Sequence, residues 1–243
     1  MTGASAGIGR ALAGELAAAG YTVTGVARDE ERLRAAVGAL GDGHTALTAD
    51  LATAHGRARV VQAVRDTRFD VLVNNAGVAV TGPFADVDLD TAVGMMELNC
   101  VAPVTLAHAY LAAARPGDAL INISSVLAFA PAAGLSVYSA SKAFLTSFSE
   151  SLWLEHRARG VYVMNLCPGI TATASQAYDG DDVPASMVQT PEQVAATAIA
   201  VLHRRRRPTV VSGRRNTVFA AAMRLLPRRM VLRMLGAAQG PPS

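Results

Sequence analysis

Cysteine is scarce. Cys100 and Cys167 are the only two in 243 residues and no secretory signal is legible, so a disulfide framework is not expected and the chain reads as a protein of a reducing, cytoplasmic compartment. Long apolar runs are lacking too. Hydrophobic residues make up 51% of the chain, enough for a large core, yet no run reaches the roughly 18 uncharged residues that a spanning helix needs. The five histidines are scattered, with no HxxxH, CxxC or EF-hand spacing, which argues against a metal site. Acidic residues stop at Glu192, and ten arginines follow it. Residues 1–192 hold 12 basic against 19 acidic side chains, a net charge of −7, so the pI near 9.2 comes from the tail. A basic tail on an acidic body is not the footprint of a nucleic-acid-binding domain, and no nucleic-acid partner is expected.

Lysine is nearly absent. Lys142 stands alone beside 21 arginines, and it lies four residues after Tyr138 in a segment that reads as helix to about Arg157. Positions i and i+4 share a helix face. Arginine does not give up its proton, whereas lysine is a compact ammonium with three donors. A cation beside a phenol favours the phenolate, so such a tyrosine can act as acid or base nearer neutral pH. Spacing alone also fits a solvated lysine beside a half-buried tyrosine, and the rest of the chain has to decide.

The chain opens with Gly3, Gly7 and Gly9 in GxxxGxG spacing, followed by the helical Ala11–Ala19. Such a loop lets backbone N–H groups approach a pyrophosphate at a helix N-terminus. A buried strand should precede it, but Met1 stands where that strand would end. The expectation is a start codon placed too late, with a GTG valine codon read as Met1. Tyr21–Ala27 reads as a strand, with Ala27 where an acidic residue would grip a ribose 2′-OH and Arg28 next to it, placed to accept a 2′-phosphate. That favours NADP(H), with NAD(H) admitted because Asp29 could still bind a ribose. His44–Thr48, Phe69–Val73, Asp118–Ser125, Val161–Leu166 and Thr209–Ser212 read as further strands. Helices fall at Thr53–Asp66, over most of Asp88–Ala114 with an adjustment near Pro103, at 136–157, and from Pro191 to about His203. Residues 174–190 read as a mobile loop of the kind that supplies lids. In the helix after Tyr138, Phe144, Phe148 and Leu152 make an apolar stripe, part core and part subunit contact. Alternating strands and helices without a linker give one α/β domain with a parallel sheet.

Thr2-Gly3-x-x-x-Gly7-x-Gly9, Asp50, Asn74-Asn75-Ala76-Gly77, Asn99, Ser125, Tyr138-x-x-x-Lys142 and Pro168-Gly169-x-x-x-Thr173, in this order, together resemble the short-chain dehydrogenase/reductase family, single-domain branch. The resemblance runs from Thr2 to about Ser212. It implies a Rossmann-like, doubly wound parallel sheet over residues 1–213, here without its first strand, and an NAD(P)-dependent oxidoreductase. Gly3, Ser5, Ile8 and Gly9 would hold the pyrophosphate and nearby ribose. Arg28 would meet the 2′-phosphate, Asp50 and Leu51 the adenine. Asn75, Ala76 and Gly77 would line the cofactor, with Pro168, Gly169, Ile170 and Thr173 near the nicotinamide. The catalytic four would be Asn99 (holding a water), Ser125 (orienting a carbonyl), Tyr138 (general acid/base) and Lys142 (lowering the tyrosine pKa and binding the ribose). A homodimer or homotetramer is implied as well. The substrate would be a hydrophobic ketone, aldehyde or alcohol, since VLAFAPAAGLSV between Ser125 and Tyr138 is apolar. The rivals are a catalytically silent NAD(P)-binding sensor and a membrane-surface partner protein.

Residues 214–243 form a basic extension. Over 214–236 its arginines alternate with apolar residues, and Pro227 should kink or restart the helix. Such a helix either lies on an anionic membrane surface or docks its apolar face on the catalytic domain and caps the substrate pocket.

Overall fold

A computed structural model describes residues 1–173 and 188–237. The elements run α1 (Gly7–Ala18), β1 (Thr24–Ala27), α2 (Glu30–Gly38), β2 (Thr45–Thr48), α3 (Ala54–Asp66), β3 (Val71–Asn74), α4 (Leu89–Met96), α5 (Ala102–Ala113), β4 (Ala119–Ile123), α6 (Ser136–His156), β5 (Tyr162–Cys167), α7 (Pro191–Arg204), β6 (Thr209–Val211), α8 (Arg214–Leu225) and α9 (Arg228–Ala237). Most of the loop expected over 174–190 lies outside the described residues. At its end, Thr190 caps α7 through a reciprocal pair with Gln193.

All strand pairs are parallel, but the sheet is in two pieces, β1–β2 and β3–β4–β5–β6. Met1–Gly3 bridges them. Thr2 donates its N–H to Val73 O (2.9 Å), Val26 donates to Met1 O (2.8 Å) and Gly3 donates to Val26 O (2.8 Å). The place expected for a central strand is thus filled by a single bridging residue, Thr2, opposite Val26. The Met1 amine donates to Thr24 O at 2.6 Å, and burial pulls its pKa down to about 5. β1 starts later than Tyr21 because the Val23 N–H pairs with His44 Nδ1 (3.0 Å) before the ladder begins.

Alternation along the strands feeds two cores. Val73, Ile121, Ile123, Met164 and Leu166 face α1 and α7, while Leu72, Leu120 and Val163 face α3, α5 and α6. Strands buried on both faces are what a parallel sheet requires. The irregularity expected at Pro103 lies just before it, in a π turn over Glu97–Val101, and Pro103 then sits in the first turn of α5, where a missing N–H costs nothing. The stripe on α6 divides. Phe148 and Leu152 pack on the core, whereas Phe144 is 43% exposed and stacks on Phe148 at 5.9 Å.

The extension folds back. Ala220, Met223 and Val231 are buried, and Met223 and Val231 cluster with Ala130, beside Phe129 and Phe219. Its inner face therefore docks on the segment after β4. The break between α8 and α9 falls at Leu226–Pro227. No helix among the described residues is long and apolar enough to cross a membrane.

Candidate active site

The carboxyl ends of β3, β4 and β5 meet the start of α6. Beside the apolar Leu145, Phe148 and Leu152, this helix buries a polar face of Ser139, Ser141, Lys142, Thr146 and Ser149, so hydrogen bonds also fix its orientation. Lys142 is 5% exposed, and its Nζ donates to Ile123 O (3.0 Å) and lies 5.6 Å from the centre of the half-buried Tyr138 ring. Burial pulls the Lys142 pKa down to about 8, against a smaller upward pull from Cys100 and Cys167. The ammonium form therefore persists at neutral pH. Ser125 lies two residues past the end of β4, buried, and its Oγ accepts the Leu127 N–H (3.1 Å). A hydroxyl has one proton to donate as well as lone pairs to accept with, and accepting this bond leaves that proton uncommitted by it.

Asn99 sits in the π turn. Its Nδ2 donates to Val78 O (2.9 Å) and Ser141 Oγ (3.2 Å), and its Oδ1 accepts the Val78 N–H (3.0 Å). Both amide protons are engaged, so its side chain braces the segment after β3 against α6 and leaves a water, if one is held here, to its main chain. Gly77 lies in that segment. A Cβ there would stand 3.1 Å from Asn99 Oδ1 and 3.3 Å from Lys142 Nζ, which brings this stretch directly over the lysine.

The glycine loop is held from below. Thr2 is buried, and its Oγ1 accepts the N–H groups of Asn75 (2.9 Å) and Ala76 (3.0 Å). Asn75 returns its Nδ2 to Thr2 O (3.0 Å) and Gly3 O (3.2 Å), so it shapes the loop. Gly9 is buried in α1, and a Cβ on it would collide with the Gly3 carbonyl. Ser5 and Ile8 flank the start of α1, where no side chain caps the first amides. Uncapped N–H groups at the start of a helix fit a pyrophosphate. At the end of β1, Arg28 is exposed with no ion-pair partner among the described residues. Asp29 is engaged as the N-cap of α2, accepting the Arg32 N–H (3.0 Å). Asp50 is exposed and accepts the Ala52 N–H (3.0 Å), while the Leu51 side chain is core, leaving only its main chain for a base.

The segment after β5 closes the other side. Pro168 O accepts the Val126 N–H (2.9 Å), and Ile170 O accepts that of Gln189 (2.8 Å). Thr173 reaches the loop, since a Cβ on Gly7, whose φ is +52°, would stand 2.9 Å from the Thr173 methyl. Gly169 is covered by the Asn216 amide, which also donates to Gln189 Oε1 (3.0 Å) and Ser212 O (2.8 Å). Asn216 belongs to α8, and nothing in the sequence pattern singled it out.

A second group also escaped sequence reasoning. Asn74, Asn122 and Asn165 stand in register on three adjacent strands. Asn74 Nδ2 donates to Asn122 Oδ1 (2.9 Å), and Asn122 Nδ2 donates to Ser149 Oγ (2.8 Å). Asn165 Nδ2 donates to Thr146 Oγ1 (3.1 Å), which also hydrogen-bonds Ser124 Oγ (2.9 Å). Ser124 Oγ in turn donates to Lys142 O (2.8 Å). The ladder ties the buried face of α6 to the sheet. Asn122→Leu leaves Asn74 and Ser149 without their partner, at a cost of about 1–3 kcal/mol. Urea unfolding should show the loss, and a midpoint unchanged from wild type would mean that the ladder adds nothing.

Comparison with known proteins agrees with this architecture. The family model described as short chain dehydrogenase matches residues 1–183. A curated relative from Mus musculus, "Inactive hydroxysteroid dehydrogenase-like protein 1", is 33% identical over 177 residues, covering 69% of this chain and 54% of the relative. The chain thus spans about half the length of that protein. Among solved structures, a short-chain dehydrogenase from Sphingobium yanoikuyae in complex with NADPH superposes with a TM-score of 0.79 at 32% identity, covering 99% of this chain and 92% of the other. A bulky-bulky ketone specific alcohol dehydrogenase from Comamonas testosteroni gives 0.77 at 28% identity, with coverages of 99% and 91%.

Proposed function

From the premise that this chain belongs to the short-chain dehydrogenase family, we propose that it is an NADP(H)-preferring oxidoreductase. It interconverts a hydrophobic ketone or aldehyde with its alcohol. The observation that carries this reading is the buried Lys142 beside Tyr138, facing the segment after β3. Bound NADP(H) supplies or takes up the hydride. Ser125 donates its hydroxyl proton as a hydrogen bond to the substrate oxygen and orients it. Tyr138 gives its proton to that oxygen in reduction and takes it back in oxidation. Lys142, cationic at neutral pH, stabilises the tyrosinate. Gly3, Ser5, Ile8, Gly9, Asn75, Ala76, Gly77, Pro168, Gly169, Ile170 and Thr173 surround the cofactor, with Asp50 and Leu51 toward the adenine. The catalytic domain is residues 1–213, with residues 214–243 as its extension.

Arg28 selects the cofactor. The Sphingobium neighbour's complex with NADPH supports this preference by analogy, and the unpaired guanidinium supports it physically. A hydrogen bond to a charged group contributes about 1.5–3 kcal/mol, so Arg28→Ala should lower the NADPH-over-NADH ratio of kcat/KM by roughly ten- to a hundredfold. An unchanged ratio would remove Arg28 from the site. The apolar wall after Ser125 and the Comamonas neighbour's named preference support bulky ketones as substrates. NADPH consumption with a panel of such ketones tests this.

A catalytically silent NADP(H) binder is the second reading, favoured by the name of the mouse relative. It predicts NADPH binding without turnover of any ketone. Two surfaces add to either reading. Val93, Met96, Val101, Val104, Phe144 and Leu154 are exposed on α4, the π turn, α5 and α6, and they form the contact of a homodimer or homotetramer, which sedimentation velocity checks. On the tail, Val218 (71% exposed), Leu225 (85%), Met230 and Met234 point outward among arginines and rest on an anionic membrane surface. Co-sedimentation with anionic but not zwitterionic vesicles is expected, and equal pelleting with both would contradict it.

A further inference from the structure

A cavity of about 480 Å3 lies between the segment 127–133, α9 and one face of α6. Its volume is within the range of small-ligand pockets. The wall from α6 carries Ala140 and Ala143, which are exposed, whereas Lys142 is buried. At roughly 100° per residue, both alanines point about 100° or more away from Tyr138 and Lys142. Ala140 and Ala143 thus turn their wall of the cavity away from Tyr138 and Lys142, while residues 127–133, the opposite wall, belong to the apolar segment that follows Ser125.

Its lining is mostly alanine and leucine, with Leu232 and Leu235 contributed by α9. Ser139 offers no hydroxyl inward, because its Oγ donates within its own helix to Leu135 O (3.0 Å) and Ser136 O (3.2 Å). Among the described residues the one charged side chain on the wall is Arg228, exposed and without an ion-pair partner there. A largely apolar interior, with the Ser136 hydroxyl and the Arg228 cation as its polar groups, suits an apolar chain with a single anionic head.

We propose that this cavity binds a single-chain fatty carboxylate, with the alkyl chain along Ala140, Ala143, Leu232 and Leu235 and the carboxylate on Arg228. The occupant would touch the segment that joins Ser125 to Tyr138, whose Ala130 is already clamped by Met223 and Val231.

Dodecanoate, dodecanol and dodecyltrimethylammonium, each below its micellar concentration, are titrated calorimetrically into the full chain. Dodecanoate should bind most tightly. Arg228→Glu should weaken dodecanoate by about tenfold and leave dodecanol nearly unchanged. Ala140→Phe, which fills the cavity, should abolish both. A circular-dichroism melt confirms that each variant is folded, and Arg228→Glu alters only a surface residue should the filling variant fail. The proposal is overturned if dodecanoate does not bind, if the three heads bind alike and ignore Arg228→Glu, or if a folded Ala140→Phe binds as well as wild type.

Discussion

Tyr138→Phe should lower kcat by about a hundred- to ten-thousandfold, the range contributed by a positioned acid or base, and leave NADPH binding unchanged. The substitution removes one oxygen and keeps the ring against which Lys142 Nζ lies at 5.6 Å. Because the ring and the buried lysine remain, the cofactor cradle around Gly3 and Gly9 is undisturbed, and only the proton relay to the substrate oxygen is cut. Steady-state kinetics with an active ketone, alongside NADPH titration, measures both quantities. Turnover retained within a fewfold of wild type would take the acid/base role from Tyr138.

Lys142→Met should abolish turnover and yet raise thermal stability at neutral pH. The folded pKa of Lys142 is about 8, against an ordinary 10.5, with burial as the main cause. Between those values the unfolded chain binds more protons than the folded one, so stability rises as pH climbs through the window. Below pH 8 the buried ammonium imposes its full cost, roughly 3 kcal/mol from a shift of this size. Methionine fills similar space without a charge, at the loss of one charge-assisted hydrogen bond to Ile123 O, about 1.5–3 kcal/mol. The net gain of up to about 1 kcal/mol corresponds to a Tm some 2–4 °C higher for a chain of this length. The advantage should fade as pH approaches 10.5. A variant less stable than wild type at both neutral and high pH would mean that the ammonium stabilises the fold, and the linkage argument would fail.

What the sequence disclosed was local. Tyr138 and Lys142 are one helical turn apart, so their pairing is visible in the spacing, and the glycines at 3, 7 and 9 advertise a backbone that must come close to something. What it concealed was register. Asn74, Asn122 and Asn165 are far apart along the chain, and only strand pairing reveals that they stand side by side. Motif position places Leu51 and Asn99 near a cofactor without saying which of their atoms would reach it. The side chain of the first belongs to the core, and the amide of the second is occupied by Val78 and Ser141. The tail was ambiguous because an amphipathic pattern says that one face is apolar, without saying what covers it. The buried Val231 and Met223 answer for the inner face, while Val218 and Leu225 remain exposed. Asn216 could not be found from pattern, since its partners Gln189 and Ser212 precede it in other elements.

The central claim is that Gly3, Gly9, Arg28 and Lys142 form an NADP(H) site. The most direct test is a thermal melt titrated with NADPH and, separately, with NADH. A ligand that binds only the folded state adds about 2.7 kcal/mol at a hundred times its Kd, several degrees in Tm for a chain of this length. The account predicts a saturating rise with NADPH, and a rise with NADH only at much higher concentration. No shift with either nucleotide would contradict it, and an equal shift with both would contradict the role given to Arg28.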